Sequence, residues 1–219
     1  MSRIAFFDLD DTLCDRGAAF RRWALAFCEL HDLDADAVLP EIDRFDQRGL
    51  RPRPVFFGLV RDRFDLAASV EELVAAYAPA YTPQYRLEPA VRDGVLGLRS
   101  AGWKVGIITN GAPWQLDKIN GTGLDRVVDG WAISEVEGAV KPDPEIFRRA
   151  AAAVGGSLDD AVWMVGDNPV ADIGGAVLSG LRSIWIDLGR QWAETTFKPD
   201  LTVDGPLAAI EAIEAIAAS

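Results

Sequence analysis

The sequence predicts an α/β fold: a Rossmann-like parallel sheet with helices on both faces, plus an inserted all-helical domain. Three observations predict it. From Glu88 onward, short apolar runs alternate with stretches of helical period. Those short runs are apolar at successive positions, as strands buried on both faces are. Residues 15–85, by contrast, carry helical spacing and little strand signal. The expected division is therefore a core of residues 1–14 and 86–219, interrupted by a helical domain at 15–85.

The first element is a strand, Ile4-Ala5-Phe6-Phe7, apolar and partly aromatic. In the insert, Phe20, Trp23, Ala24, Phe27 and Leu30 share one face of a helix over 18–30. Val38, Leu39, Ile42 and Phe45 repeat the spacing over 35–45, and Arg51-Pro52-Arg53-Pro54 breaks it. A third helix is expected over 54–64. A fourth starts at Ser69, which pairs with Glu72 as a capping box, and ends between Pro79 and Pro83. The core then reads as helix 90–100, strand 104–109, helix 114–120, strand 130–133, helix 144–154 and strand 161–165. A helix at 173–178, a strand at 183–186, a short strand at 201–203 and a closing helix at 207–216 complete it.

Composition narrows the function. The chain has 219 residues and 49% hydrophobic content, enough for one sizeable core and a smaller module. A net charge of −12 argues against a nucleic-acid backbone as the main partner. A small anionic substrate stays open, because a local basic cluster can oppose the global sign. Cys14 and Cys28 form neither a metal spacing nor a disulfide framework and suit a reducing compartment. Asp8 arrives too early for a signal peptide's apolar region, and no apolar run approaches membrane-spanning length. The expectation is a cytoplasmic protein, monomeric or homodimeric, without a membrane partner.

Ligands of parallel sheets bind beyond the carboxyl ends of the strands. Three expected strands carry polar groups there: Asp8/Asp10, Thr109/Asn110 and Asp167. The first strand ends in Asp8, Asp10 and Asp11, three carboxylates within four residues. Close like charges repel, so something must offset them. A divalent cation is the simplest candidate, and carboxylate oxygens with retained waters suit Mg2+. Taken singly, Thr109-Asn110-Gly111 is a strand-to-helix turn, Lys141-Pro142 a solvated loop and Gly166-Asp167 a capped turn. Taken together, in this order and on these strand ends, they are not independent turns.

The four stretches Asp8-Leu9-Asp10-Asp11-Thr12, Thr109-Asn110-Gly111, Lys141-Pro142 and Gly166-Asp167 with Asp172 resemble the haloacid dehalogenase superfamily, mostly phosphatases. The resemblance spans almost the whole chain, and the insert resembles the C1 type of cap. It implies a Mg2+-dependent hydrolysis of a small phosphorylated metabolite through an aspartyl-phosphate. Asp8 would be the nucleophile and Asp10 the general acid and base. The charges of Asp8 and Asp11 are expected to favour a protonated Asp10. The resemblance also implies that Asp8, the Asp10 backbone carbonyl and Asp167 hold the metal. Thr109, with the backbone around Asn110 and Gly111, would bind phosphoryl oxygens, and Lys141 would add a fixed cation. Asp172 is expected to orient the metal's water shell or Lys141 rather than to ligate. Asp11 sits where the family often has Gly.

Rival readings are a 2-haloacid dehalogenase, a phosphomutase and a silent binding module. Dehalogenases of this family lack an acid at the Asp10 position and need no metal, so Asp10 and Asp167 disfavour that rival. In the insert, Arg48, Arg51 and Arg53 form a basic cluster, and Arg51 is the candidate contact for an anionic substrate group. A solvated arginine loop explains the cluster equally well. Gln115 and Lys118 give a weak resemblance to members acting on sugar acids or nucleotides. His31 is expected at the surface. Trp23, Trp103, Trp131, Trp163 and Trp185 are expected in the core, with Trp114 and Trp192 near strand-end loops.

Overall fold

The computed structural model describes residues 2–217, which form two compact units. Among them, the residues up to 15 and from 86 onward form one; the other is the insert, 16–85. The chain opens with β1 (Arg3–Phe7) and enters the insert through α1 (Arg16–Leu30), α2 (Ala35–Asp46), α3 (Arg53–Phe64) and α4 (Val70–Tyr81). Ser69 and Glu72 close the capping box at α4, which runs through Pro79. The core of this unit is aromatic. Trp23 lies between Phe20, Phe27, Phe57 and Tyr77, with ring centroids 5.2, 5.2, 6.0 and 5.0 Å away.

The larger unit continues with α5 (Pro89–Ser100), β2 (Trp103–Thr109), α6 (Gln115–Thr122) and β3 (Gly130–Ile133). After it come α7 (Ser134–Glu137), α8 (Pro144–Ala153), β4 (Ala161–Gly166), α9 (Gly175–Leu178), β5 (Arg182–Ile186), β6 (Leu201–Val203) and α10 (Pro206–Ala217). The strands form one sheet in the order β3-β2-β1-β4-β5-β6, and every pairing is parallel. On one face, Ile4, Phe6, Ile108, Val162 and Met164 pack against Ile146, Phe147 and Ala150 of α8. On α5, Val91, Val95 and Leu98 are buried where that helix packs on α10 and β2. β1 is central: Phe7 pairs with Ile107 on one side and Val165 on the other. The residue after Phe7 therefore emerges at the middle of the sheet's carboxyl edge.

Three expectations need correction. The helix expected at 173–178 begins earlier, as a π-helical stretch Pro169–Gly174 that runs into α9. Asn168 caps it by accepting from the N–H groups of Val170 and Ala171, and the wide turn buries Asp172 completely. Trp131, on edge strand β3, is half-buried, whereas Trp23, Trp103, Trp163 and Trp185 are buried. His31 is not a plain surface residue: it packs half-buried on the Phe27 ring, with centroids 4.4 Å apart. Burial lowers its pKa from the ordinary value. Trp192, expected near a strand-end loop, packs at the rim as such a place allows, edge-on to Trp185 and Phe197.

Candidate active site

β1 delivers Asp8, and its N–H still bonds to Val165 across the sheet. The chain then folds back tightly: Cys14 N–H donates to the Leu9 carbonyl and Asp11 N–H to the Cys14 carbonyl. Asp11 adopts a left-handed backbone, φ 57°. That conformation favours Gly and tolerates Asp, which explains why an aspartate can stand at this position.

Lys141 is the hub. It is buried, and its Nζ lies 2.7 Å from Asp8 Oδ1, 2.6 Å from Asp172 Oδ1 and 2.6 Å from the Ile108 carbonyl. Its backbone is clamped by the Asn110 side chain, which accepts from Lys141 N–H and donates to the Lys141 carbonyl. Asp172 Oδ2 in turn accepts from Asn168 N–H at 2.9 Å. Gly166 is needed for this approach, because a Cβ there would overlap the Asp172 carboxylate. Burial acts to lower the Lys141 pKa, but the Asp172 and Asp8 carboxylates outweigh it and hold the ammonium above its ordinary value. Burial pushes the Asp8 carboxyl up to about 8, against Lys141, which pulls it down.

Asp10 faces α6. Lys118 Nζ bonds both of its oxygens, at 2.8 and 2.7 Å, and Gln115 Nε2 donates to Oδ2 at 3.1 Å. Besides the charges of Asp8 and Asp11, Asp10 has the Lys118 cation 2.7 Å from its Oδ2, a partner that its sequence neighbours do not show. The same Gln115 nitrogen reaches the buried Thr109 hydroxyl at 2.7 Å. Gly111 N–H donates to Ser134 Oγ, which returns a bond to the Gly111 carbonyl and ties the β2–α6 turn to α7. Asp167 meets Arg190, whose guanidinium bonds its Oδ2 at 3.0 Å and its carbonyl at 2.7 Å.

The structure thus brings Asp8, Asp10, Thr109, Asn110, Gly111, Lys141, Asp167 and Asp172 to one rim of the sheet. Asp8, Asp167 and Asp172 each offer an oxygen, and these atoms lie within 4.8 Å of one another. An all-carboxylate set, its charge partly offset by Lys141 and Arg190, suits a hard divalent ion such as Mg2+. Arg51 belongs to the other unit, half-buried just before α3. Its neighbour Arg53 is half-buried and engaged within its unit: it faces buried Asp46 at 2.8 Å and lies over the Phe56 and Tyr77 rings. Sequence reasoning missed Ser134, Asn168 and Arg190 and undervalued Gln115 and Lys118. The last two are three residues apart on a helix, a spacing that puts both on one face. Arg190 follows β5 in a long irregular connection and carries no such signal.

The haloacid dehalogenase-like hydrolase family matches residues 3–180. The chain belongs to this family. A glyceraldehyde 3-phosphate phosphatase of Pyrococcus abyssi is 33% identical over 199 residues, covering 87% of this chain and 83% of its own. A phosphoserine phosphatase of Thermus thermophilus is 33% identical over 169 residues, 73% of this chain and 68% of its own. Among solved structures, the HAD-hydrolase YfnB from Bacillus subtilis bound to magnesium superposes with a TM-score of 0.80 at 21% identity. It covers 99% of this chain and 98% of that one. A 2-haloacid dehalogenase from Pseudomonas syringae pv. Tomato superposes with a TM-score of 0.66 at 24% identity, covering 99% and 100%. Dehalogenases and phosphatases share this fold, so it does not choose between them. The curated relatives over most of the chain are phosphatases, and this HAD-like hydrolase is an enzyme of the phosphatase type. Among the described residues, no helix is long and apolar enough to cross a membrane.

Proposed function

We propose that the enzyme hydrolyses a small phosphomonoester in two steps through an aspartyl-phosphate on Asp8. The observation that carries this reading is the convergence of Asp8, Lys141 and the Asp8–Asp167–Asp172 oxygen cluster beside Asp10 and Thr109. In the first step an Asp8 oxygen attacks phosphorus. The bond from phosphorus to the leaving oxygen breaks, and that oxygen takes a proton from Asp10. In the second step water attacks the phosphorus, gives its proton to Asp10, and releases phosphate with Asp8 regenerated. Thr109 and the backbone N–H groups of the Asn110–Gly111 turn hold the phosphoryl oxygens. Lys141, anchored by Asp172 and the Ile108 carbonyl, sets a fixed positive charge against them.

Asp8, Asp167 and the Asp10 carbonyl are the proposed holders of Mg2+, with Asp172 close enough to join or to order its waters. When bound, Mg2+ supplies charge neutralisation of the phosphoryl oxygens and favours the carboxylate form of Asp8. Asp10 argues for phosphoryl transfer over dehalogenation, because displacement of a halide needs no proton donor at that place. The names of the curated relatives point to small phosphorylated metabolites, three-carbon esters among them. We assign the helical unit the role of cap and Arg51 the recognition of a second anionic group on the substrate.

A panel of phosphorylated metabolites with Mg2+, read by released phosphate, tests the reaction. Asp8→Asn should abolish turnover of the best substrate and of a generic aryl phosphate while leaving the circular dichroism spectrum unchanged. Wild-type turnover by that variant would take the nucleophile role away from Asp8. Arg51→Ala should raise KM for the best substrate more than for the aryl phosphate; equal effects would leave Arg51 without a recognition role.

A further inference from the structure

Lys118 stands out among the cations of the larger unit. Its residue is 1% exposed, yet its ammonium lies against both oxygens of Asp10 and 4.8 Å from the Trp114 ring centroid. Desolvating an ammonium costs several kcal/mol, and a packed apolar side chain would brace a helix against a sheet at less cost. Gln115 joins it from one helical turn earlier. Its single amide nitrogen spans Asp10 and Thr109, while its Oε1 is buried with no hydrogen-bond partner among the described residues. Leaving a buried acceptor unpaired is also unfavourable. Two polar side chains of α6 are thus committed to one carboxylate, each at a cost to the fold.

We propose that Lys118, assisted by Gln115, is a positioning residue for proton transfer. It fixes the Asp10 carboxyl in one orientation, so that the same oxygens meet the leaving group in the first step and water in the second. This rests on the reading of Asp8 as nucleophile and Asp10 as acid and base. A flexible Asp10 would retain its chemistry but lose its alignment, and a misplacement of about 1 Å can cost about 100-fold in rate.

The test uses the full chain with Mg2+ and two esters: p-nitrophenyl phosphate and the best alkyl phosphate from the panel. Lys118→Met should lower kcat on the alkyl ester by about 100-fold, with KM changed by no more than about two-fold. On the aryl ester the first step needs little proton donation, while the second still needs Asp10. The variant should therefore show a burst of nitrophenolate stoichiometric with enzyme. Lys118→Arg, which keeps a cation at Asp10, should recover most of the alkyl rate. Gln115→Met should shift both readouts the same way but less, and it decides the matter if Lys118→Met does not fold.

A raised KM with unchanged kcat would overturn the proposal, because Lys118 would then touch the substrate directly. Equal losses on both esters, without a burst or arginine rescue, would also overturn it and leave a structural brace. An inactive Asp8→Asn beside a Lys118→Met of wild-type kinetics would overturn the proposal alone. Activity surviving in Asp8→Asn would remove the reading beneath it as well.

Discussion

Asp46 shows how far one residue's environment can depart from its sequence context. It lies at the end of α2 with no exposed surface. Arg16 Nη2 donates to its Oδ2 at 2.6 Å, Gly49 N–H reaches the same oxygen at 2.8 Å, and Arg53 Nη1 lies 2.8 Å from Oδ1. Gln47, Arg48 and Gly49 all have positive φ, and a Cβ at Gly49 would strike the Arg16 guanidinium. The left-handed turn thus brings the chain close over the ion pair. In sequence, Arg48, Arg51 and Arg53 look like one basic patch. In the structure Arg53 is consumed by packing, Arg48 is exposed on the turn and Arg51 is half-buried. Removing one partner of a buried ion pair leaves the others uncompensated, so Asp46→Ala should destabilise the helical unit by about 3–5 kcal/mol. Urea denaturation monitored by tryptophan fluorescence would check it, since Trp23 sits in that unit's core. A change below about 1 kcal/mol would place the pair among weak surface bridges instead.

At the scale of elements, the strands were legible because a strand buried on both faces is apolar at successive positions over a short run. Ala161–Gly166 and Gly130–Ile133 stand out for that reason, and their ends fix where the polar residues emerge. The capping box at Ser69 was legible because it is local, with both partners within one turn. The π-helical stretch at Pro169–Gly174 was not. Its widened turn serves Asp172, which must reach Lys141 from below Gly166, and that requirement comes from a distant part of the chain. The same holds for the site. Types and order of Asp8, Asp10, Thr109 and Asp167 could be read from strand ends, and Lys141 from the family resemblance. Their counter-ions could not, because Lys118 and Arg190 look like ordinary cations of a helix and a loop until the fold places them.

Those counter-ions change the charge balance of the whole molecule. The acidic end of β1 suggests a fold that needs a bound cation to offset repulsion. In the structure Asp8, Asp10, Asp167 and Asp172 each already have an internal cation. Lys141 serves Asp8 and Asp172, Lys118 serves Asp10, and Arg190 serves Asp167. These four carboxylates and three cations leave only a small excess of negative charge among themselves. The fold and the proposed metal should therefore separate: chelation with EDTA should silence turnover while the far-UV circular dichroism spectrum and a cooperative melt persist. Returning Mg2+ should restore turnover and raise the melting temperature by mass action, by about 2.7 kcal/mol of stability at a hundred times its Kd. Unfolding on chelation would show that the three internal cations do not suffice, and that the ion holds the sheet's edge together as well as serving the reaction. Full activity after rigorous chelation would instead remove Mg2+ from the mechanism and reopen the dehalogenase reading.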